Sequence, residues 1–165
     1  MKPRIDFQHV NPRAVQAMLG LQHYVNNCGL EHSLMELVKM RASQINHCAY
    51  CLDMHGKDMR AAGETEQRVY LLDAWREVSF YTPRERAALE WTEALTLVSE
   101  TGAPDSTYTA VREYFTDEEL VNLSLAIVAI NGWNRLCVGF RAEAGTYQSG
   151  AAAPEATARR LKEMI

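Results

Sequence analysis

Hydrophobic positions along the chain recur mostly three and four residues apart. The period-2 runs bounded by turn clusters that announce strands are missing, so the pattern predicts an all-α protein. The clearest helix start is Thr82-Pro83-Arg84-Glu85. There Thr82 can cap, Pro83 has its φ preset for the first helical position, and Glu85 completes a capping box. That helix is expected to run to about Ser99, with Gly102 just past its end and Pro104 discouraging continuation. A second capping box, Thr116-Asp117-Glu118-Glu119, opens a long helix on which Leu120, Leu123, Ile127, Ile130 and Asn131 share helical spacing; it is expected to be central and largely buried. Upstream, helices are expected from Pro12 to about Cys28-Gly29, from Leu34 to Arg41, from about His47 to Ala62 and from about Thr65 to Val78, with Ser43-Gln44-Ile45-Asn46 as a break. Gly145 to Pro154 reads as a linker and Glu155 to Met164 as a short final helix. The expectation is a single-domain helical bundle over residues 1–165, about six to eight helices, with its core at about 12–141.

Composition sharpens the picture. A chain of 165 residues, 47% hydrophobic and 23% charged, buries enough surface to fold without metal or disulfide staples, so its four cysteines are free for chemistry. A net charge of -4, from 17 Lys+Arg against 21 Asp+Glu, argues against nucleic acid or an anionic membrane as partner. The longest unbroken apolar stretch, Leu125 to Ile130, is far below the ~18 residues of a spanning helix, and Met1 to Asp6 leads into no signal-peptide apolar region. A cytoplasmic protein is expected. Thiols are kept reduced in that compartment, so the cysteines fit a metal or redox site better than a disulfide framework.

The informative segment is Asn46-His47-Cys48-Ala49-Tyr50-Cys51-Leu52-Asp53-Met54-His55, at an expected helix N-terminus. On a helix Cys48, Cys51 and His55 fall within about 60° of one another, and side chains three apart have Cβ atoms roughly 5–6 Å apart. The two thiols can therefore cycle between dithiol and disulfide after modest adjustment. The positive end of the helix dipole favours thiolate, most of all at Cys48, and His55 can add a charge or move a proton. His47 points off the stripe by about 100°. Zinc is a competing reading, since Cys48, Cys51 and His55 are acceptable ligands and Cys28, His32 or Cys137 could supply a fourth. The absence of a second closely spaced ligand pair weakens it. Cys28 and Cys137 otherwise read as small core residues, Trp75, Trp91 and Trp133 as core, Glu36 as a surface glutamate, and Lys39 and Arg41 as solvated helix charges that could attract an acidic substrate.

Glu36, seven residues before Ser43, ten before Asn46 and twelve before Cys48, followed by Cys51 and His55, resembles the signature of the alkylhydroperoxidase D-like branch of the carboxymuconolactone decarboxylase family. Asn131-Gly132-Trp133-Asn134-Arg135-Leu136 resembles a second motif of that family. The resemblance implies an all-helical homo-oligomer, a trimer or hexamer, that acts as a cysteine-based peroxidase with no cofactor. In that scheme Cys51 attacks a hydroperoxide, Cys48 resolves the resulting sulfenic acid to a disulfide, Glu36 and His55 relay protons, and an external dithiol of lipoyl or thioredoxin-like type restores the pair. Tyr50 stands where the family's well-studied peroxidases carry a histidine. Asn131, Trp133 and Arg135 are expected in packing or subunit contacts. Two other functions stay open on the residues alone: thiol–disulfide exchange with a protein or lipoyl partner, and a non-enzymatic redox-sensing or zinc-binding module.

Overall fold

The computed structural model describes residues 2–150, and the helix expected at 155–164 lies outside them. All regular elements among these residues are helical: α1 (Phe7–Val10), α2 (Pro12–Asn26), α3 (His32–Ile45), α4 (Ala49–Ala61), α5 (Glu66–Tyr70), a 3₁₀ segment (Leu71–Glu77), α6 (Pro83–Thr96), α7 (Val98–Thr101), α8 (Asp105–Arg112) and α9 (Asp117–Phe140). Both capping boxes form, with Thr82 accepting from the Glu85 amide and Thr116 from the Glu119 amide. Gly102 takes the left-handed conformation, φ 64°, that ends α7.

The middle of the bundle is α3, packed against α4, α6 and α9. From Leu34 to Ser43 only Arg41 escapes full burial. Leu34 and Val38 join Ala88, Trp91, Leu123 and Ile127, whereas Leu37 and Met40 join Met59, Leu72, Trp75 and Leu89. The two faces of one helix thus fill two parts of the core, and truncating Leu37 to Ala is expected to cost about 2–5 kcal/mol. By length and composition α9 is apolar enough to cross a membrane. Here it packs on α2, α3 and α6 instead.

Three expected boundaries move. α3 does not break at Ser43 but runs to Ile45, because the Ser43 hydroxyl donates to the Lys39 carbonyl at 2.8 Å and so stays within the helix. The reversal falls at Asn46 and His47, the latter in the left-handed region at φ 52°, and α4 starts at Ala49 with Cys48 as its N-cap. The helix expected over 65–78 divides into α5 and the 3₁₀ segment, interrupted at Ala74. Arg86 donates to the carbonyls of Trp75, Arg76 and Val78, which satisfies groups a continuing helix would have bonded itself. The helix from Pro83 stops at Thr96, and helical backbone resumes as α7. Two short helices, α1 and α8, were not anticipated from the pattern.

Candidate active site

Cys48 and Cys51 sit where α3 hands over to α4. The Cys48 amide donates to the Ser43 carbonyl at 3.0 Å, which draws the N-cap of α4 back against the end of α3. Their Sγ atoms are 2.8 Å apart and both residues are 1% exposed. A third thiol joins them: Cys137, from α9, has its Sγ within 4.8 Å of both. Cys28 is not part of the cluster; its thiol donates to the Val25 carbonyl. Cys137 is buried, as expected of a core residue, but its neighbours are the two redox candidates. Ile130, Asn134 and Cys137 are spaced i, i+4, i+7 and point one stripe of α9 at the cysteine pair. That periodicity was legible, although its destination was not.

The thiols are not equivalent. The Cys137 and Cys51 thiols, the Cys51 amide and Asn134 around Cys48 favour its thiolate; together they outweigh burial and hold its pKa far below the ordinary 9.0. Cys51 also interacts with Cys137, which draws it down, but donation to Cys48, burial and the nearby negative charge raise it. Cys137, a donor to both in a buried setting, is raised too. Charge therefore rests on Cys48, at the helix N-terminus, in agreement with the dipole argument.

Glu36 and His55, expected from different helices, do meet. The Nδ1–H of His55 donates to Glu36 Oε2 at 2.9 Å, and Lys39 Nζ donates to Oε1 at 2.8 Å. Burial pushes the Glu36 carboxyl up, yet the His55 hydrogen bond and the positive charge beside it, Lys39 included, hold it at about 2. Glu36 is thus a buried carboxylate rather than a surface residue, and Lys39 is its buried partner rather than a solvated charge. Arg41 is likewise committed, to Glu93 at 2.8 Å and to Asp73. Fixed through Nδ1, the His55 ring leaves Nε2 as the one buried side-chain polar atom among the described residues with no hydrogen-bond partner.

A cavity of about 440 Å³ connects these groups. Cys51, Cys137, Glu36 and His55 line it together with Phe7, Leu19, Tyr50, Met54, Ile130 and Trp133, whereas Cys48 lies behind them. Trp133 lines the cavity and donates to Gln22 Oε1 at 3.1 Å. Asn134, 1% exposed, donates to the Ser43 hydroxyl at 3.1 Å and accepts from Asn46 Nδ2 at 2.9 Å. Asn131 also accepts from Asn46, at 3.0 Å. The second motif thus ties α9 to the turn that carries Cys48. His47 is outside this cavity, and His32 stands on its rim side, lining it along with a neighbouring depression.

Among the described residues, two clusters have donor sets a metal could use, Cys48 with Cys51 and Cys137, and Glu36 with His55 and Asp58. In the second, Lys39 already neutralises the carboxylate. In the first, sulfurs bound to one zinc at about 2.3 Å would stand roughly 3.8 Å apart, farther than the 2.8 Å between Cys48 and Cys51. The pair as folded is nearer to an S–S bond than to a shared metal.

Known proteins share this fold. The chain matches the carboxymuconolactone decarboxylase family over residues 12–94. It is 42% identical over 138 residues to the uncharacterised protein YdfG of Bacillus subtilis (strain 168), which is 84% of this chain and 94% of that one. A crystal structure of ATU0492 from Agrobacterium tumefaciens, a protein of unknown function connected by its description with antioxidant defence as AhpD, superposes with a TM-score of 0.86 at 46% identity, covering 88% of this chain and 100% of that one. An uncharacterised peroxidase-related protein from Ralstonia eutropha JMP134, with an alkylhydroperoxidase AhpD core, shares the fold at a TM-score of 0.74 and 20% identity over 84% of this chain and 74% of that one. The chain belongs to the carboxymuconolactone decarboxylase family, in its alkylhydroperoxidase D-like branch.

Proposed function

We propose that the protein is a thiol-dependent peroxidase that reduces apolar hydroperoxides through Cys51 and Cys48. The observation that carries this reading is the unpartnered His55 Nε2, oriented by Glu36, in a cavity that also exposes Cys51, with Cys48 2.8 Å behind it. Cys51 loses its proton to His55 Nε2, and its sulfur attacks the terminal oxygen of the hydroperoxide, breaking the O–O bond. One oxygen stays on Cys51 as sulfenic acid, while the other leaves as an alcohol, its proton supplied by His55. The Cys48 thiolate then attacks the Cys51 sulfur; the S–S bond forms, the S–O bond breaks, and the hydroxide leaves as water with a proton taken from solvent. An external dithiol, lipoyl or protein-borne, reduces the disulfide.

The cavity supports a substrate larger than hydrogen peroxide. A water-sized molecule takes up about 30 Å³ of liquid, against the cavity's 440 Å³, and Phe7, Leu19, Met54, Ile130 and Trp133 offer an organic substituent apolar contact. Self-association into a homo-oligomer in the cytoplasm completes the reading. The test is peroxide consumption in the presence of dihydrolipoamide. We expect kcat/KM for cumene hydroperoxide at least tenfold above that for hydrogen peroxide, and no turnover for Cys51→Ser. Unchanged turnover in Cys51→Ser would overturn the proposal. Rapid reduction of protein disulfides with no peroxide turnover would replace it by thiol–disulfide exchange.

A further inference from the structure

The catalytic cycle proposed for the site needs two thiols, yet the site contains three. Cys137 reaches the pair from α9, 86 positions beyond Cys51 in sequence. Its Sγ is within 4.8 Å of both partners, and it packs in one buried cluster with them. It is 6% exposed and, like Cys51 and unlike Cys48, it lines the cavity. Disulfide formation needs sulfurs about 2.05 Å apart, so a thiol within 4.8 Å of Cys51 has to close less than about 3 Å. Asn134, one turn earlier on α9, ties that helix to the Ser43 and Asn46 end of α3 and so keeps Cys137 in register with the pair.

We propose that Cys137 is a third redox thiol of the site, forming a disulfide with Cys51 that links α4 to α9 whenever Cys48 does not resolve Cys51. The proposal extends the peroxidase reading and rests on it for the physiological oxidant, a hydroperoxide. Once Cys51 is a sulfenic acid, the Cys137 sulfur attacks it; the S–S bond forms, the S–O bond breaks, and the hydroxyl leaves as water with the Cys137 proton. The same product arises by exchange without net oxidation. The Cys137 sulfur then attacks Cys51 in a Cys48–Cys51 disulfide, Cys48 leaves as thiolate, and the Cys137 proton passes to solvent or to His55. An oxidised Cys51 has two possible partners, which shields it from further oxidation to the sulfinic acid.

The test uses full-length Cys48→Ser, reduced under anaerobic conditions and treated with diamide, a diazene that takes two electrons and two protons from a pair of thiols. A parallel sample receives one equivalent of cumene hydroperoxide. Trypsin cuts after Arg41, Lys57, Arg135 and Arg141, so Cys51 falls in peptide 42–57 and Cys137 in peptide 136–141. With diamide we expect these two peptides joined within one chain, at least tenfold in excess over any link to Cys28, and the link absent from Cys48→Ser combined with Cys137→Ser. A Cys137 that stays fully alkylatable after diamide overturns the proposal. Should Cys48→Ser not fold, Cys48→Ala gives the same readout, and so does diamide-treated wild type, quenched in acid, with fragmentation of the joined peptides to separate Cys48 from Cys51: a Cys51–Cys137 link supports the third thiol, and its absence from both overturns it. If diamide forms the link while wild type fails to react with hydroperoxide, the peroxidase reading falls and the three-thiol site stands.

Discussion

Cys48 and Cys51 are one helical turn apart, and their surroundings divide the work between them: Cys48 holds charge and Cys51 faces the cavity. Thiolate absorbance at 240 nm is therefore expected at pH 6, lost in Cys48→Ser and kept in Cys51→Ser; persistence in Cys48→Ser would place the charge elsewhere. His55→Ala is expected to slow oxidation of Cys51 by an alkyl hydroperoxide about 10²–10⁴-fold, the usual range for a proton-transfer group. A loss below threefold in stopped-flow measurements would remove His55 from the relay. Glu36 gives the pH dependence of folding. Its carboxyl in the folded protein lies at about 2, below the ordinary 4.5, so its contribution is present above about pH 4.5 and is lost as pH falls towards 2. The linkage amounts to about 3 kcal/mol. Glu36→Gln, which leaves Lys39 buried and unpaired, is expected to unfold at lower denaturant than wild type at pH 7, with the gap closing by pH 2.5. A gap that persists there would mean that packing, not charge, holds Glu36.

At the scale of elements, the site depends on how α9 grips the turn between α3 and α4. Asn134→Ala removes the donor to Ser43 and the acceptor for Asn46, a loss of about 1–3 kcal/mol, expected as a Tm lowered by several degrees. An unchanged Tm would show that the turn holds without α9. What the sequence revealed at this scale was governed by local chemistry. Thr82, Thr116 and Gly102 announce their helix ends because caps bond within three or four residues. The end of α3 differs from the expected break for the same reason: Ser43 and Asn46 are cap-like residues, but the Ser43 hydroxyl bonds back to the Lys39 carbonyl and accepts from Asn134, and so stays helical. Glu36 was legible only through the family resemblance, since on the residues alone it reads as a surface glutamate. Its pairing with Lys39 within one buried turn was not, since charges on a helix usually face water. Cys137 lay beyond reach for a different reason, because a lone cysteine carries no sign of a partner 86 positions away.

For the molecule as a whole, α9 does two things. One stripe lines the site through Ile130, Trp133 and Cys137; elsewhere Val121, Val128 and Val138 remain exposed, and Leu95, Val98 and Val128 border a shallow apolar groove. Exposed apolar surface of this kind is commonly covered by association. Sedimentation is expected to give a multiple of the 18.6 kDa chain, with Val128→Glu reducing it; a monomer at micromolar concentration would leave the face without a partner copy. The central claim, that this fold brings together a dithiol for reducing hydroperoxides, is tested most directly by counting free thiols per chain, anaerobically, before and after one equivalent of cumene hydroperoxide, with Cys51→Ser alongside. The account predicts the rapid loss of two thiols in wild type and no disulfide in Cys51→Ser; four thiols remaining in wild type after peroxide would contradict it.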